Sequence, residues 1–158
     1  MSVEKAVAHL KKYGLEEKAM FFEISSATVA LAAQAIGCKE AEIAKSLSFD
    51  INGEPILVIA AGDGKIDNGK FKACFHTKAK MLPFDTVGAL IGHDAGGVCP
   101  FGVNDGVKVY LDVSLKRFET VYPACGNAAS AVKLTISELE KASEYLQWVD
   151  VCKEQIST

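Results

Sequence analysis

The segment Lys45-Ser46-Leu47-Ser48-Phe49-Asp50-Ile51-Asn52-Gly53-Glu54-Pro55-Ile56-Leu57-Val58-Ile59-Ala60 sets the architecture. Lys45 to Ile51 alternates as a half-buried strand does. Asn52-Gly53 is the dipeptide favoured in a two-residue hairpin turn, whose residues take positive φ. Ile56 to Ala60 is a continuous apolar run, the pattern of a return strand covered on both faces. Strand parity puts Lys45, Leu47, Phe49 and Ile51 on one face. The last three predict a core-facing row, and Lys45 opens that row where the interior meets solvent. A lysine there either snorkels, with its stem packed and its ammonium in water, or acts as a cation at a pocket mouth, aimed at a phosphate or polar substrate group.

Working upstream, Ser2 is placed to cap a helix carrying Val3, Ala6, Val7 and Leu10 at helical spacing, stopped by Gly14. Met20 to Ile24 reads as a short buried strand. Ser25 or Ser26 caps a second helix with Val29, Ala33 and Ile36, ended by Gly37, and its many alanines predict close packing on a sheet. A helical turn from Glu40 to Ala44 leads into the hairpin. Downstream, Asp67 or Asn68 caps a helix with Phe71, Cys74 and Phe75, and Asp85 caps a short helix that stops at Gly92. Strands are expected at Val107–Val113 and Thr120–Ala124, with a turn at Ser114–Phe118 between them and Ser130–Leu134 as the return partner of the second. Thr135-Ile136-Ser137-Glu138 is a capping box opening the last helix, and Leu146–Val151 adds an edge strand. The expected fold class is α+β: a mixed, largely antiparallel sheet, closed or barrel-like, with surrounding helices.

At 158 residues the chain is long enough for one domain, 1–158, with a proper core. Its composition, 49% hydrophobic and 23% charged, is that of a soluble globular protein. No apolar run is long enough to span a bilayer, so no membrane partner is expected. Met1-Ser2-Val3-Glu4-Lys5 turns directly into an amphipathic pattern rather than a signal peptide, which points to the cytoplasm. Five scattered cysteines (Cys38, Cys74, Cys99, Cys125, Cys152) show neither metal-ligand spacing nor a disulfide framework and read as reduced thiols. A net charge of −3 is not that of a broadly basic nucleic-acid binder. Lys65, Lys70, Lys72, Lys78 and Lys80 nevertheless cluster in sequence, as either a solvated face or a phosphate-contacting patch.

The second decisive stretch is Gly92-His93-Asp94-Ala95-Gly96-Gly97-Val98-Cys99-Pro100-Phe101-Gly102, with four glycines and a proline in eleven residues. Such a run forms neither helix interior nor central strand. It reads either as a tight structural turn or as a loop presenting backbone N–H groups to a carbonyl oxygen or phosphate.

Ala44-Lys45-Ser46-Leu47 followed by this glycine loop resembles the YbaK/ProX family of aminoacyl-tRNA deacylases, a family also found as the editing insertion of bacterial prolyl-tRNA synthetases. The resemblance runs from Ser25-Ser26 to Leu134-Thr135. It implies a trans-editing hydrolase that deacylates mischarged tRNA, with tRNA for proline carrying alanine, cysteine or serine as the expected substrate and a synthetase as a possible further partner. It also implies catalytic roles for Lys45, Gly96 and Gly97. In the family the lysine helps hold the terminal adenosine end, while backbone groups of the loop (here Gly96 through Pro100) engage the ester carbonyl. Substrate contacts are implied for Ser26, Thr28, His93, Val98, Cys99, Pro100, Phe101, Gly126, Asn127 and Ser130, and Lys65, Lys70, Lys72, Lys78 and Lys80 become the tRNA patch. No metal, cofactor or side-chain nucleophile is implied, since water aided by a ribose hydroxyl of the substrate attacks the ester.

The chain departs from one branch of the family at Ala124-Cys125-Gly126, where some relatives carry serine two residues before the glycine. Asn127 and Ser130 are then the polar groups left to the pocket. Small pockets reject smaller or isosteric side chains weakly, which is why editing exists. Two other readings stand beside this one. Cys99 and His93 would form a thiol nucleophile and its base, or the fold would bind a tRNA or nucleotide end without hydrolysing it. A metal site from His76, His93 and Cys99 lacks any ligand spacing.

Overall fold

The hairpin forms as its residues require. In the computed structural model, which describes residues 2–23 and 28–154, β2 (Ile43–Ile51) and β3 (Glu54–Ala61) pair antiparallel from Ile51↔Glu54 to Ala44↔Ala61. Asn52 and Gly53 take φ of 52° and 90°, and Asp50 Oδ1 accepts the Gly53 N–H at 2.7 Å. Around this pair lie β4 (Lys108–Asp112), β5 (Thr120–Pro123), β7 (Leu134–Thr135) and β8 (Gln147–Val149), giving a six-stranded sheet of order β7-β5-β2-β3-β4-β8. The sheet is mixed: β2–β3 and β5–β7 are antiparallel, while β2–β5, β3–β4 and β4–β8 are parallel. It curls into a half-barrel with helices around it, the α+β class expected.

Both faces of the sheet are covered, and parity sorts the two cores. Leu57, Ile59 and Ala61 of β3 join Val109 and Leu111 of β4 in the larger core, with Leu10 of α1 (Ser2–Lys11), Ile91 of α4 (Val87–Ile91) and Leu139 of α5 (Ile136–Ser143). Ile56 and Val58 point the other way. They meet Phe49, Tyr110 and Phe71, the last on α3 (Asn68–Phe75). This is why Ile56–Ala60 reads as unbroken apolar sequence.

Local signals hold where the chemistry is short-range. Asp67 caps α3 through the Lys70 N–H at 3.0 Å, and Thr135 and Glu138 form the capping box of α5. Several expectations need correction. The strand expected at Met20–Ile24 is the short β1 (Ala19–Phe21), and Phe21 is exposed rather than buried; Ile24 lies outside the described residues. The cap of α2 (Val29–Ile36) is Thr28, whose Oγ1 accepts the Leu31 N–H at 3.1 Å; Ser25 and Ser26 lie outside the described residues. Asp85 caps nothing: it sits inside a 3-10 turn, Phe84–Thr86, that precedes α4. The Ser130–Leu134 segment splits. β6 (Ser130–Val132) pairs with β1 in a separate two-stranded ribbon, and only β7 returns to β5.

Phe71 is fully buried between Phe49 and Phe75, with ring centroids 4.8 and 4.7 Å away. Phe71→Ala is expected to cost about 3–5 kcal/mol of stability, read from a urea unfolding midpoint. A loss below ~1 kcal/mol would mean that the smaller core is not an independent contributor.

Candidate active site

A largely apolar hollow opens where β2 begins, beside the glycine loop. It has a volume of about 400 Å³. One wall is the Val29, Ala32 and Ile36 stripe of α2; another is Ala95, Gly96 and Val98 of the loop; a third is Tyr122 and Ala124 at the end of β5. Ala44, Ser46 and Ser48 of β2 complete it, with Lys45 bordering it. The alanine-rich helix thus walls a cavity, burying only Ala33, rather than packing flat on the sheet as its composition predicts.

Parity has an unexpected result here. The row begun by Lys45 runs toward the smaller core, with Leu47 and Phe49. The cavity receives the other row, Ser46 and Ser48, which alternation alone assigns to solvent. The Lys45 ammonium donates to the carbonyls of Gly62 (3.4 Å) and Gly64 on the turn after β3. Burial pushes its pKa below the ordinary lysine value, Lys65 adds to the depression, and nearby Asp63 opposes it. Gly62 has no room for a side chain: a Cβ would strike the Glu40 carbonyl and approach Val29 of the cavity wall to 2.8 Å.

The two central glycines of the loop differ. Gly96 has φ 96° and lines the cavity, with only Ala128 Cβ, at 3.7 Å, near an added Cβ. At Gly97 an added Cβ would lie 2.6 Å from Asn127 Cα and from the Gly126 carbonyl oxygen. The glycine loop and the 125–129 turn are therefore pressed together backbone to backbone. The turn is held by Ser130, whose Oγ accepts the Cys125 N–H and donates to the Asn127 carbonyl, both at 2.9 Å, and by Asn127 Oδ1, which accepts the Ala129 N–H at 2.8 Å. Asn127 and Ser130 border the cavity, but these hydrogen bonds are spent on the backbone.

His93, Cys99, Pro100 and Phe101 lie behind the loop, buried in the larger core and outside the cavity wall. His93 Nε2 lies 2.6 Å from the Phe101 carbonyl and must carry a proton to donate to it. It therefore cannot take one from Cys99 Sγ, 3.6 Å away. Burial lowers the His93 pKa and raises that of fully enclosed Cys99 to about 12. This arrangement opposes a thiolate nucleophile. His76 caps the far end of α3, and among the described residues no group of three or more His, Cys, Asp and Glu comes together to hold a metal.

Of the other implied contacts, Thr28 and Val98 line the cavity, Gly126 lies against Gly97, and Ser26 is outside the described residues. The five lysines are not equivalent. Lys70 pairs with Asp150 at 3.1 Å and Lys80 lies 3.9 Å from Asp50, while Lys65, Lys72 and Lys78 are exposed. Ser46, Ser48, Met81, Phe84 and Tyr122 are cavity residues that the sequence reading missed.

The half-barrel sheet, the glycine loop and the cavity between them at the start of β2 make up the candidate site, and comparison with known proteins identifies the family. Residues 24–142 match the aminoacyl-tRNA editing domain family, to which this chain belongs. The chain is 50% identical to YwhH of Bacillus subtilis (strain 168) over 155 residues, covering 98% of this chain and 99% of that protein. It is 33% identical over 79 residues to the proline–tRNA ligase of Lysinibacillus sphaericus (strain C3-41), which is 49% of this chain and 14% of the ligase. Among solved structures it matches, with TM-score 0.87 and 27% identity, a protein put forward as a trans-editing enzyme for prolyl tRNA synthetase, over 97% of this chain and 98% of that one.

A Cβ at Gly97 would collide with backbone at 2.6 Å, whereas at Gly96 it would meet only Ala128 Cβ at 3.7 Å and the cost is the positive φ alone, so Gly97→Ala is expected to lower the melting temperature further than Gly96→Ala. The reverse order in a thermal scan would show that the contact with residues 126 and 127 is not what demands a glycine.

Proposed function

We propose that this chain hydrolyses the ester of mischarged aminoacyl-tRNA in trans, with tRNA for proline carrying alanine, cysteine or serine as the substrate. The family and the trans-editing neighbour support deacylation. The observation that carries the reading is the cavity itself: about 400 Å³, apolar on most sides, with a left-handed glycine and a half-buried lysine on its border. Ala124 presents only a methyl group to it, which suits a small side chain.

In this reading the aminoacyl group enters between α2 and the glycine loop. A water adds to the ester carbonyl carbon, and the oxygen that gains charge is met by the backbone N–H of Gly96 at the cavity wall, the Gly97 N–H being spent on the Asp94 carbonyl at 3.0 Å. The C–O bond to the ribose then breaks, and the ribose oxygen leaves with the proton that the water gives up, relayed by the neighbouring ribose hydroxyl. Fixed donors that need no rearrangement are the economical way to stabilise such charge, and the backbone clamp between Gly97 and the 126–127 turn keeps the loop fixed. Lys45 supplies a compact cation for the nucleotide end, exchanging the Gly62 and Gly64 carbonyls for substrate oxygens.

A second reading, a module that holds a tRNA end without hydrolysing it, draws on that same tie of Lys45 to two backbone carbonyls. Release of free amino acid from a panel of mischarged tRNAs separates the two. On the hydrolase reading, Lys45→Ala loses a charge-assisted contact of roughly 1.5–3 kcal/mol, about one to two decades in rate, while the protein stays folded. Lys45→Arg recovers activity only in part, because a planar guanidinium does not replace a compact ammonium. Near-normal turnover by folded Lys45→Ala would remove Lys45 from the mechanism. Cys99→Ser is expected to retain activity, and its inactivity in a folded protein would restore the thiol reading.

A further inference from the structure

Phe84 is 81% exposed, the most exposed large apolar side chain among the described residues, and Met81 beside it is 57% exposed. Both line the cavity and form its rim. Their exposure does not come from slack chain. The Asp50 N–H donates to the Lys80 carbonyl at 2.8 Å and the Leu82 N–H to the Ser48 carbonyl at 3.1 Å, with Phe49 and Met81 bridged antiparallel. Residues 80–82 are thus stitched to the edge of β2. Pro83 then fixes the direction of the chain, and both the N–H and the hydroxyl of Thr86 close on the Pro83 carbonyl, at 2.9 and 2.8 Å. An aromatic ring is held in water on a constrained backbone, at the lip of a cavity, with nothing in the fold that requires it there.

We propose that Phe84 is the stacking platform for the 3′-terminal base of the tRNA. The inference rests on the deacylase reading and deepens it. If the ester carbon lies by Gly96, the base attached to the same ribose is carried outward to the rim. A single-stranded terminal base has an unpaired π-face, and an exposed aromatic side chain offers it a surface to stack on. Charge favours a nucleic acid over an apolar peptide: Lys78 and Lys80 are both exposed on the same segment, and although Lys80 lies 3.9 Å from Asp50 and Asp85 follows Phe84, the stretch leading into the aromatic is basic. Stacking is indifferent to which base is present, so Phe84 contributes grip and orientation, and the amino acid is selected deeper in.

The test has two arms. In steady-state deacylation of whichever mischarged tRNA the panel identifies, Phe84→Ala is expected to raise KM roughly tenfold with kcat nearly unchanged, and Phe84→Tyr to keep the original KM. In the second arm, indole emission added by Phe84→Trp is expected to be quenched saturably by adenosine 5′-monophosphate and not by ribose 5-phosphate, with the wild type, which contains Trp148, as the control. An unchanged KM in Phe84→Ala, a fall in kcat alone, or equal quenching by both probes would overturn the proposal. The fluorescence arm needs no turnover. Absence of hydrolysis across the panel would therefore defeat the deacylase reading, while selective quenching by the nucleotide would still support the stacking site and non-selective quenching would still refute it.

Discussion

β2 is covered by different material on its two faces, and the rest of the structure follows from that. Its ladder with β3 extends over eight residue pairs, so a shift of one position would exchange every side chain between faces. Phe49 would leave the aromatic cluster around Phe71, and Ser48 would enter it. Register is fixed at one end by the positive-φ pair Asn52-Gly53 and at the other by β5, which runs parallel to β2 at Ile43 and Ala44. The same register that buries Phe49 therefore presents Ser46 and Ser48 to the cavity and turns Lys45 toward Gly62 and Gly64.

The second constraint is the contact between two stretches of backbone. Gly97 lies so close to residues 126 and 127 that no β-carbon fits between them. Dispersion contact and the Ser130 and Asn127 hydrogen bonds replace what side chains would otherwise supply. Beneath it, His93, Cys99 and Phe101 fill the core, with the His93 Nε2 proton committed to a carbonyl. The residues that make the motif recognisable are in large part those that brace the loop from behind. Gly96 and Val98 are the parts that face outward.

What could be read in the sequence was what short-range chemistry determines. Asn52-Gly53, the Asp67 cap, the Thr135 capping box and the helix stops at Gly37 and Gly92 are each settled within a few residues. Pairings between distant segments were not readable: nothing in Ala19–Phe21 names Ser130–Val132 as its partner. Parity correctly grouped Lys45, Leu47, Phe49 and Ile51. It could not say that a second core and a cavity lay on opposite faces, because alternation reports shared direction and not what covers each side. Ser46 and Ser48 were lost by that route. Thr28 is expected at the site, yet the cap of α2 is expected at Ser25 or Ser26, since three hydroxyl residues within four positions (Ser25, Ser26 and Thr28) offer the same local signal. Phe84 carried only the weak signal of an aromatic residue following a proline.

The division of the sheet into two packed compartments bears on how such a scaffold diverges. Ala124, Ala32 and Val98 border the cavity, on the side away from the Phe49–Phe71–Phe75 stack. Substitutions at separated sites with no shared partners combine nearly additively. Replacing the methyl group of Ala124 by hydroxymethyl or isopropyl therefore alters the volume of the cavity while leaving the aromatic compartment untouched. The volume of the cavity and the packing of the aromatic compartment thus depend on different residues, although Val98 and Ala124 also pack against the larger core.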